Sequence, residues 1–358
     1  MPLLGTRGAA SARGFGFAGG PPYIPPRAIL VYGNSGIYVY NGTTLANVTS
    51  TYVSNPTLVA TAGGDEVVNV TSNNRYLGFG SWAQSPALKG AVADTNTTPW
   101  TFYSNFTGLA IPGTGNDIVE QLAPSTDGLY VMGESGAGTD KGVFSFTTPA
   151  TEYTGQPSQF TSIVNSSNTI MFTRGNDAWV VNGVTWYKFT FTSSVLAYVS
   201  TTSVSPAQSN TPTGQGIASL DSAGTTALLS NGNTLYKVSL ATGTPAYVAS
   251  YSPNVSPNAI RAATLSPDGT KAVLACNNGK VYVYTFATNT TTSMSTPAGF
   301  VGNWDSADFF ADGNNYVVAG AGGNGYSHLG RISSGGYVSL LGGTNYGGYN
   351  VRCLRPIV

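Results

Sequence analysis

Apolar positions along this chain come in short runs separated by turn residues, and no stretch shows the stripe of an amphipathic helix. The clearest case is residues 263–286, ATLSPDGTKAVLACNNGKVYVYTF. There an apolar run ends in Ser266-Pro267-Asp268-Gly269, whose Asp-Gly pair is a turn dipeptide. A second apolar run follows at 271–276, then a turn at 277–279, then Val281-Tyr282-Val283-Tyr284. Runs this short, bounded by Gly, Asn and Asp, predict neighbouring antiparallel strands. Even residues 185–205, a long stretch without Gly or Pro, hold eight Val or Thr residues and five aromatics, which favour pleated strands.

The unit repeats. Its apolar inner strand is read at 28–32, 75–80, 129–133, 170–173, 226–230, 271–276 and 316–320. The partner strand is read at 37–40, 90–93, 143–146, 178–181, 235–240, 281–284 and 329–332. With Ile37, Ala91, Val143, Trp179, Leu235, Val281 and Leu329 as markers, the steps are 54, 52, 36, 56, 46 and 48 residues. A period of roughly 40–50 residues with about four strands per unit marks a β-propeller blade. Seven copies predict an all-β chain folded as a seven-bladed β-propeller.

The ends of the chain fit closure of a ring. Pro-rich residues 20–26 leave the first copy no room for an innermost strand, and residues 349–358, YNVRCLRPIV, form a strand without a unit. The C-terminal strand is therefore expected to complete the first blade beside residues 28–32, because an open ring exposes a blade face and a sheet edge to water. Residues 28–358 then make one propeller, preceded by an extended N-terminal arm over residues 1–27. Residues 313–348 contain 12 glycines, which predicts a loose, loop-rich final blade.

Composition narrows the function. The 358 residues carry 15 basic and 15 acidic side chains, and only 8% are charged, against about 25% in an ordinary domain. A neutral, charge-poor chain lacks the basic footprint of nucleic-acid binding or of attraction to an anionic membrane, and no apolar run is long enough for a spanning helix. The single histidine, His328, rules out a His-rich metal site. Cys276 and Cys353 fit no metal spacing and fall on different units, so neither a metal nor a disulfide is expected. No cofactor signature is read.

Candidate chemistry is sparse. Gly320-Ala321-Gly322-Gly323-Asn324-Gly325 matches the dinucleotide fingerprint, but a strand follows where a helix is required, so it is read as a turn. Asp305, Asp308 and Asp312 cluster near one inner strand, and Asp65-Glu66 precedes another. They lack the spacing of a calcium loop, and Asp312-Gly313 repeats the turn role of Asp268-Gly269. Glu120, Arg261, Asp308 and Arg352 fall on or beside innermost strands, where they pair with one another or hold water or an ion. Trp82, Trp100, Trp179, Trp186 and Trp304 either pack between blades or stack on sugars, and Tyr282 and Tyr284 are read as filling the gap between blades.

Residues 266–269 followed by 280–284 resemble the strand–turn–strand unit of the YVTN and WD-type propellers. No Gly-His pair opens the units, and the one Trp-Asp pair, Trp304-Asp305, starts a unit, so WD40 partner rules do not carry over. Residues 3–19, LLGTRGAASARGFGFAG, resemble the arm that heads many virion and tail-associated proteins of tailed bacteriophages. That resemblance implies a non-enzymatic structural protein of the virion, docked through its arm onto a tail or capsid protein. Leu3, Leu4, Phe15 and Phe17 are then the apolar anchors, and Arg7 and Arg13 the hydrogen-bond donors. The absence of an apolar signal-peptide core in residues 1–13 fits assembly in a host cytoplasm. A second reading is a host-surface or glycan-binding module of the particle.

Overall fold

The computed structural model describes residues 28–33, 36–54, 68–70, 76–80, 90–103, 118–126, 129–135, 141–146, 152–163, 169–192, 195–208, 219–294, 302–309, 316–322, 327–333, 336–344 and 351–357. These residues form seven antiparallel sheets and two helices of one turn each, α1 (Thr49–Tyr52) and α2 (Ser158–Thr161). In the first sheet, β1 (Ala28–Gly33) lies between β2 (Gly36–Asn41) and the last strand, β26 (Val351–Ile357). The second holds β3 (Val68–Val70), β4 (Tyr76–Gly80), β5 (Gly90–Asp94) and β6 (Thr101–Tyr103). The third holds β7 (Ile118–Pro124), β8 (Leu129–Ser135), β9 (Lys141–Ser145) and β10 (Glu152–Tyr153).

The fourth sheet is β11 (Thr169–Arg174) with the long hairpin β12 (Asp177–Thr192) and β13 (Val195–Gln208). The fifth is β14 (Ser219–Leu220), β15 (Thr226–Asn231), β16 (Thr234–Ser239) and β17 (Ala246–Tyr251). The sixth is β18 (Ile260–Leu265), β19 (Lys271–Cys276), β20 (Val281–Thr285) and β21 (Thr290–Met294). The seventh is β22 (Gly302–Phe309), β23 (Tyr316–Gly322), β24 (Ser327–Ser333) and β25 (Gly336–Thr344).

In every sheet but the first the strands run in sequence order, and at several seams the first strand of one sheet packs against the innermost strand of the next. β3 meets β7, β7 meets β11, β14 meets β18, β18 meets β22, and β22 meets β26. Sheets stacked face to face with their first strands gathered inward are the β-propeller arrangement. β26 runs antiparallel to β1, with Leu30 opposite Arg355 and Tyr32 opposite Cys353.

The core is divided among the seams between sheets. Because strand side chains alternate faces, each central strand feeds two different cores. Met171, Ala178 and Val180 pack with Ala123 and Val143 of the third sheet. Their neighbours Ile170, Phe172, Trp179 and Val181 pack with Ala227, Leu229, Val238 and Leu240 of the fifth. On β19, Leu274 joins Leu228 and Leu235, whereas Val273 and Ala275 join Trp304, Ala307 and Phe309. Burial on both faces is why these strands read as unbroken apolar runs instead of alternating ones.

Two expectations are corrected. The fourth repeat was placed one strand early: residues 170–173 are the first strand of their sheet, and Trp179 lies on the second, whereas the other six markers lie on the third strand of a four-stranded order or on β2. The 36-residue step before Trp179 is the trace of that shift. The glycine-rich segment 313–348 carries the regular strands β23, β24 and β25 and is not loop-rich where it is described. Pairing on both sides of β23 and β24 overrides the weak strand preference of glycine.

Candidate functional site

Hydrogen bonds from the first strands and from nearby turns tie successive sheets together. Between the third and fourth sheets, the Thr126 amide donates to Gly175 O at 3.3 Å, Thr126 Oγ1 donates to Asn176 Oδ1 at 2.9 Å, and Thr173 Oγ1 donates to Pro124 O. Between the fourth and fifth, Arg174 Nη1 donates to Gly224 O at 3.0 Å and to Leu240 O at 3.1 Å. Between the fifth and sixth, the Ser222 amide and Oγ both donate to Pro267 O at 2.9 Å, and Leu265 N donates to Ser219 Oγ at 2.9 Å. Between the sixth and seventh, Thr264 Oγ1 donates to Ala307 O at 2.7 Å and Trp304 Nε1 to Gly279 O at 3.0 Å.

Two charged groups sit on these seams. Asp177 Oδ2 receives Arg174 Nη2 and Lys188 Nζ, both at 3.2 Å, while its Oδ1 accepts from Thr190 Oγ1 at 3.0 Å. Both cations lie over the buried Trp179 ring, at 5.2 and 5.5 Å from its centroid. Gly224 is required here: its φ is +65°, and a Cβ would stand 2.6 Å from Arg174 Cδ. The second group joins Asp221, Lys237 and Asp268. Lys237 Nζ donates to Gly269 O at 2.8 Å and lies 4.5 Å from the Phe286 ring centroid.

Burial pushes the Lys237 ammonium below its ordinary range, against the opposing pull of Asp221 and Asp268. Burial alone would raise Asp268, but donors from Ser266 and Thr270, with the charge of Lys271, hold its carboxyl below the usual range. Asp221 accepts from Thr225 N at 2.7 Å, Thr225 Oγ1 at 2.9 Å and Thr226 N at 3.2 Å, which fixes the turn before β15. Both groups brace the seams. As groups they are not legible in the sequence, where Asp268 reads only as a turn residue, because Arg174 reaches Gly224 across 50 residues and Lys237 reaches Gly269 across 32.

The sequence-derived candidates separate clearly. Leu3, Leu4, Arg7, Arg13, Phe15 and Phe17 lie outside the described residues, as do Asp65, Glu66, Trp82 and Asp312. Trp100, Trp179, Trp186 and Trp304 are buried and so present no ring to a sugar. Tyr282 and Tyr284 fill the seam between the fifth and sixth sheets, with Asn258 Nδ2 donating to Tyr282 Oη at 2.9 Å. Glu120, Arg261, Asp308 and Arg352 lie on β7, β18, β22 and β26, all strands that border the axis. Asp308 is buried, and its Oδ1 accepts from the Phe309 amide at 2.8 Å.

Gly320–Gly322 ends β23, and the next described element is the strand β24, so no helix N-terminus faces that loop among the described residues. Cys276 is buried and unbridged, with burial pushing its thiol up to about 12. Among the described residues no three His, Cys, Asp or Glu side chains gather as a metal would need.

No protein-family model and no curated protein matches the chain. Solved structures do match its fold. A proposed 6-phosphogluconolactonase from Bacteroides fragilis is 14% identical over 92% of this chain and 97% of its own, with a TM-score of 0.56. A protein from Lactobacillus plantarum is 14% identical over 92% and 98%, with a TM-score of 0.58. KlHsv2 with its loop 6CD replaced by a Gly-Ser linker is 10% identical over 88% and 94%, with a TM-score of 0.51. At such identities the likeness establishes the fold, a β-propeller, and nothing of the chemistry.

Proposed function

We propose that this chain is a non-enzymatic structural protein of a phage particle. Residues 1–27 dock it onto a tail or capsid protein, and a seven-bladed propeller, closed by its C-terminal strand, forms its rigid body. The observation that carries the reading is where the arm joins that body. The arm runs into β1, which is the central strand of its sheet, hydrogen-bonded to β2 on one side and to β26 on the other. Tension on the arm therefore loads two ladders at once, and through β26 it loads the seventh sheet, against which β26 packs. An attachment made at an edge strand would peel one bond at a time.

The resemblance of residues 3–19 to phage arms supplies the partner class: other virion proteins. Ordering such an arm costs roughly 1–2 kcal/mol per residue in backbone entropy, so the apolar contacts of Leu3, Leu4, Phe15 and Phe17 and the hydrogen bonds of Arg7 and Arg13 have to exceed that cost in the assembly. Deleting residues 1–19 tests the reading. The truncated chain is expected to fold with an unchanged melting temperature and to be missing from purified particles; incorporation at the full-length level would refute docking through the arm.

A second reading, a host-surface or glycan-binding module, draws on Tyr198 and Val199 on β13 and Tyr247 and Val248 on β17. These are exposed on the outer strands of adjacent sheets. Binding of the arm-deleted chain to a glycan array, abolished by Tyr198→Ala or Tyr247→Ala, would support it over purely mechanical service.

A further inference from the structure

Large apolar side chains left in contact with solvent gather on one part of the rim. Among the described residues they are Val184, Tyr198, Val199, Tyr247 and Val248, and all five belong to the fourth and fifth sheets. Four of them come from one triplet used twice, Ala197-Tyr198-Val199 on β13 and Ala246-Tyr247-Val248 on β17. Each of these strands is the last of its sheet, at the end away from the axis.

The two triplets share a register as well. On β13 the pairing passes from Phe189 opposite Tyr198 to Lys188 opposite Ser200, so Val199 is an extra residue. On β17 it passes from Val238 opposite Tyr247 to Lys237 opposite Ala249, which leaves Val248. The shift recurs on β25 at Val338, but the sixth sheet stands between, and its outer strand β21 has neither triplet nor shift. The fourth and fifth sheets bring two such bulges side by side, and there β13 packs against β17.

A bulge on an edge strand ordinarily works with charged side chains to discourage pairing with another chain. Here the extra residue is a valine, 49% exposed on β13 and 52% on β17. No Asp, Glu, Lys or Arg occurs in residues 189–220 or 238–260. Tyr among apolar neighbours, without charge, is the composition of a protein–protein interface core, and it offers nothing to an ionic ligand. The Tyr198 ring is already held, by a 2.9 Å hydrogen bond between its hydroxyl and Thr201 Oγ1 and by edge contact with Phe189. Docking therefore costs it little side-chain freedom.

What covers the patch follows from its duplication. A two-fold axis passing between β13 and β17 sets each triplet against the other triplet of a second chain, and the contact then occurs twice, as an isologous interface requires. Zero net charge removes long-range repulsion between copies. The 14 residues of β13 and the six of β17 match the lower end of the roughly 20–30 residues a side in an ordinary interface. We infer that the chain forms a two-fold dimer through the outer strands of its fourth and fifth sheets, with Tyr198 and Val199 of one copy against Tyr247 and Val248 of the other. The dimer uses the side chains of the glycan reading, so those two exclude each other, and it does not depend on the arm.

The test is sedimentation velocity of the full-length protein over a concentration series. A monomer–dimer equilibrium is expected, and deleting residues 1–19 should leave it unchanged. Val199→Glu and Val248→Glu should each weaken dimerisation about tenfold or more, because symmetry places every change in the interface twice. Thr290→Glu, exposed on the outer strand of the sixth sheet, should have no effect. If a glutamate variant fails to fold, Val199→Ser or Val248→Ser, which removes apolar surface without adding charge, should weaken the dimer in its place. Oxidation of a mixture of Val199→Cys and Val248→Cys chains should give a 199–248 disulfide between them in peptide maps. A monomer at every concentration, a dimer that folded variants at both positions leave intact, loss of the dimer with the arm, or a monomer that binds neutral glycan through Tyr198 and Tyr247 would overturn the inference.

Discussion

Asp268 shows how much one turn residue settles here. It accepts from Ser266 Oγ at 2.7 Å and from Thr270 N and Oγ1 at 3.0 and 2.9 Å, while Gly269 takes the φ of +71° that closes the turn. Because its carboxyl titrates lower in the folded chain than in the unfolded one, its contribution is present above the ordinary value of 3.8 and is lost as pH falls through the folded value. Asp268→Asn should lower the melting temperature at neutral pH, and the gap to the parent should narrow below pH 3.8; a gap independent of pH would contradict the hydrogen-bonded carboxylate. Trp304 is the seam counterpart. Trp304→Phe keeps an aromatic ring but removes the donor to Gly279 O, and should cost about 1–3 kcal/mol in denaturant unfolding. At this scale the local pieces were legible: the Asp-Gly turn and the packing of Tyr282 and Tyr284 follow from short-range pattern. Arg174 reaching Gly224, 50 residues away, does not, since nothing in either neighbourhood names the other.

Central strands here are buried on both faces, and that governs both what packs and what could be read. Leu274 faces the fifth sheet and Val273 the seventh, so a single strand supports two seams. Leu274→Ala should cost about 2–5 kcal/mol through the lost side chain and the cavity it leaves. Its neighbour Val273, on the opposite face, should add independently in the double variant; a large coupling between them in unfolding experiments would mean one shared core. The same two-faced burial explains the misplaced fourth repeat. β11 and the start of β12 are both continuous apolar runs, so hydrophobicity cannot say which is first in the sheet, and β12, at 16 residues, exceeds the length of an ordinary blade strand. Bulges are equally invisible beforehand. The Tyr-Val pairs of β13 and β17 stand in the sequence, but their shared register exists only once the ladders are formed.

For the whole molecule, the period and the unmatched C-terminal strand carried the architecture, because a repeat spaces its turns evenly whatever the side chains between them. The proposed role rests on the arm, through resemblance alone. Closure remains the physical centre of the proposal, since it converts a row of stacked sheets into a ring in which no seam opens alone. Tyr32 stands opposite Cys353 in the β1–β26 ladder, so one substitution reports on it. In Tyr32→Cys treated with a short bis-maleimide, Cys276 should stay silent, buried and with its thiol pushed up to about 12. A closed propeller predicts that peptide mapping finds residues 32 and 353 bridged within single chains. Folded protein in which both cysteines react singly with maleimide, yet no 32–353 bridge forms, would contradict it.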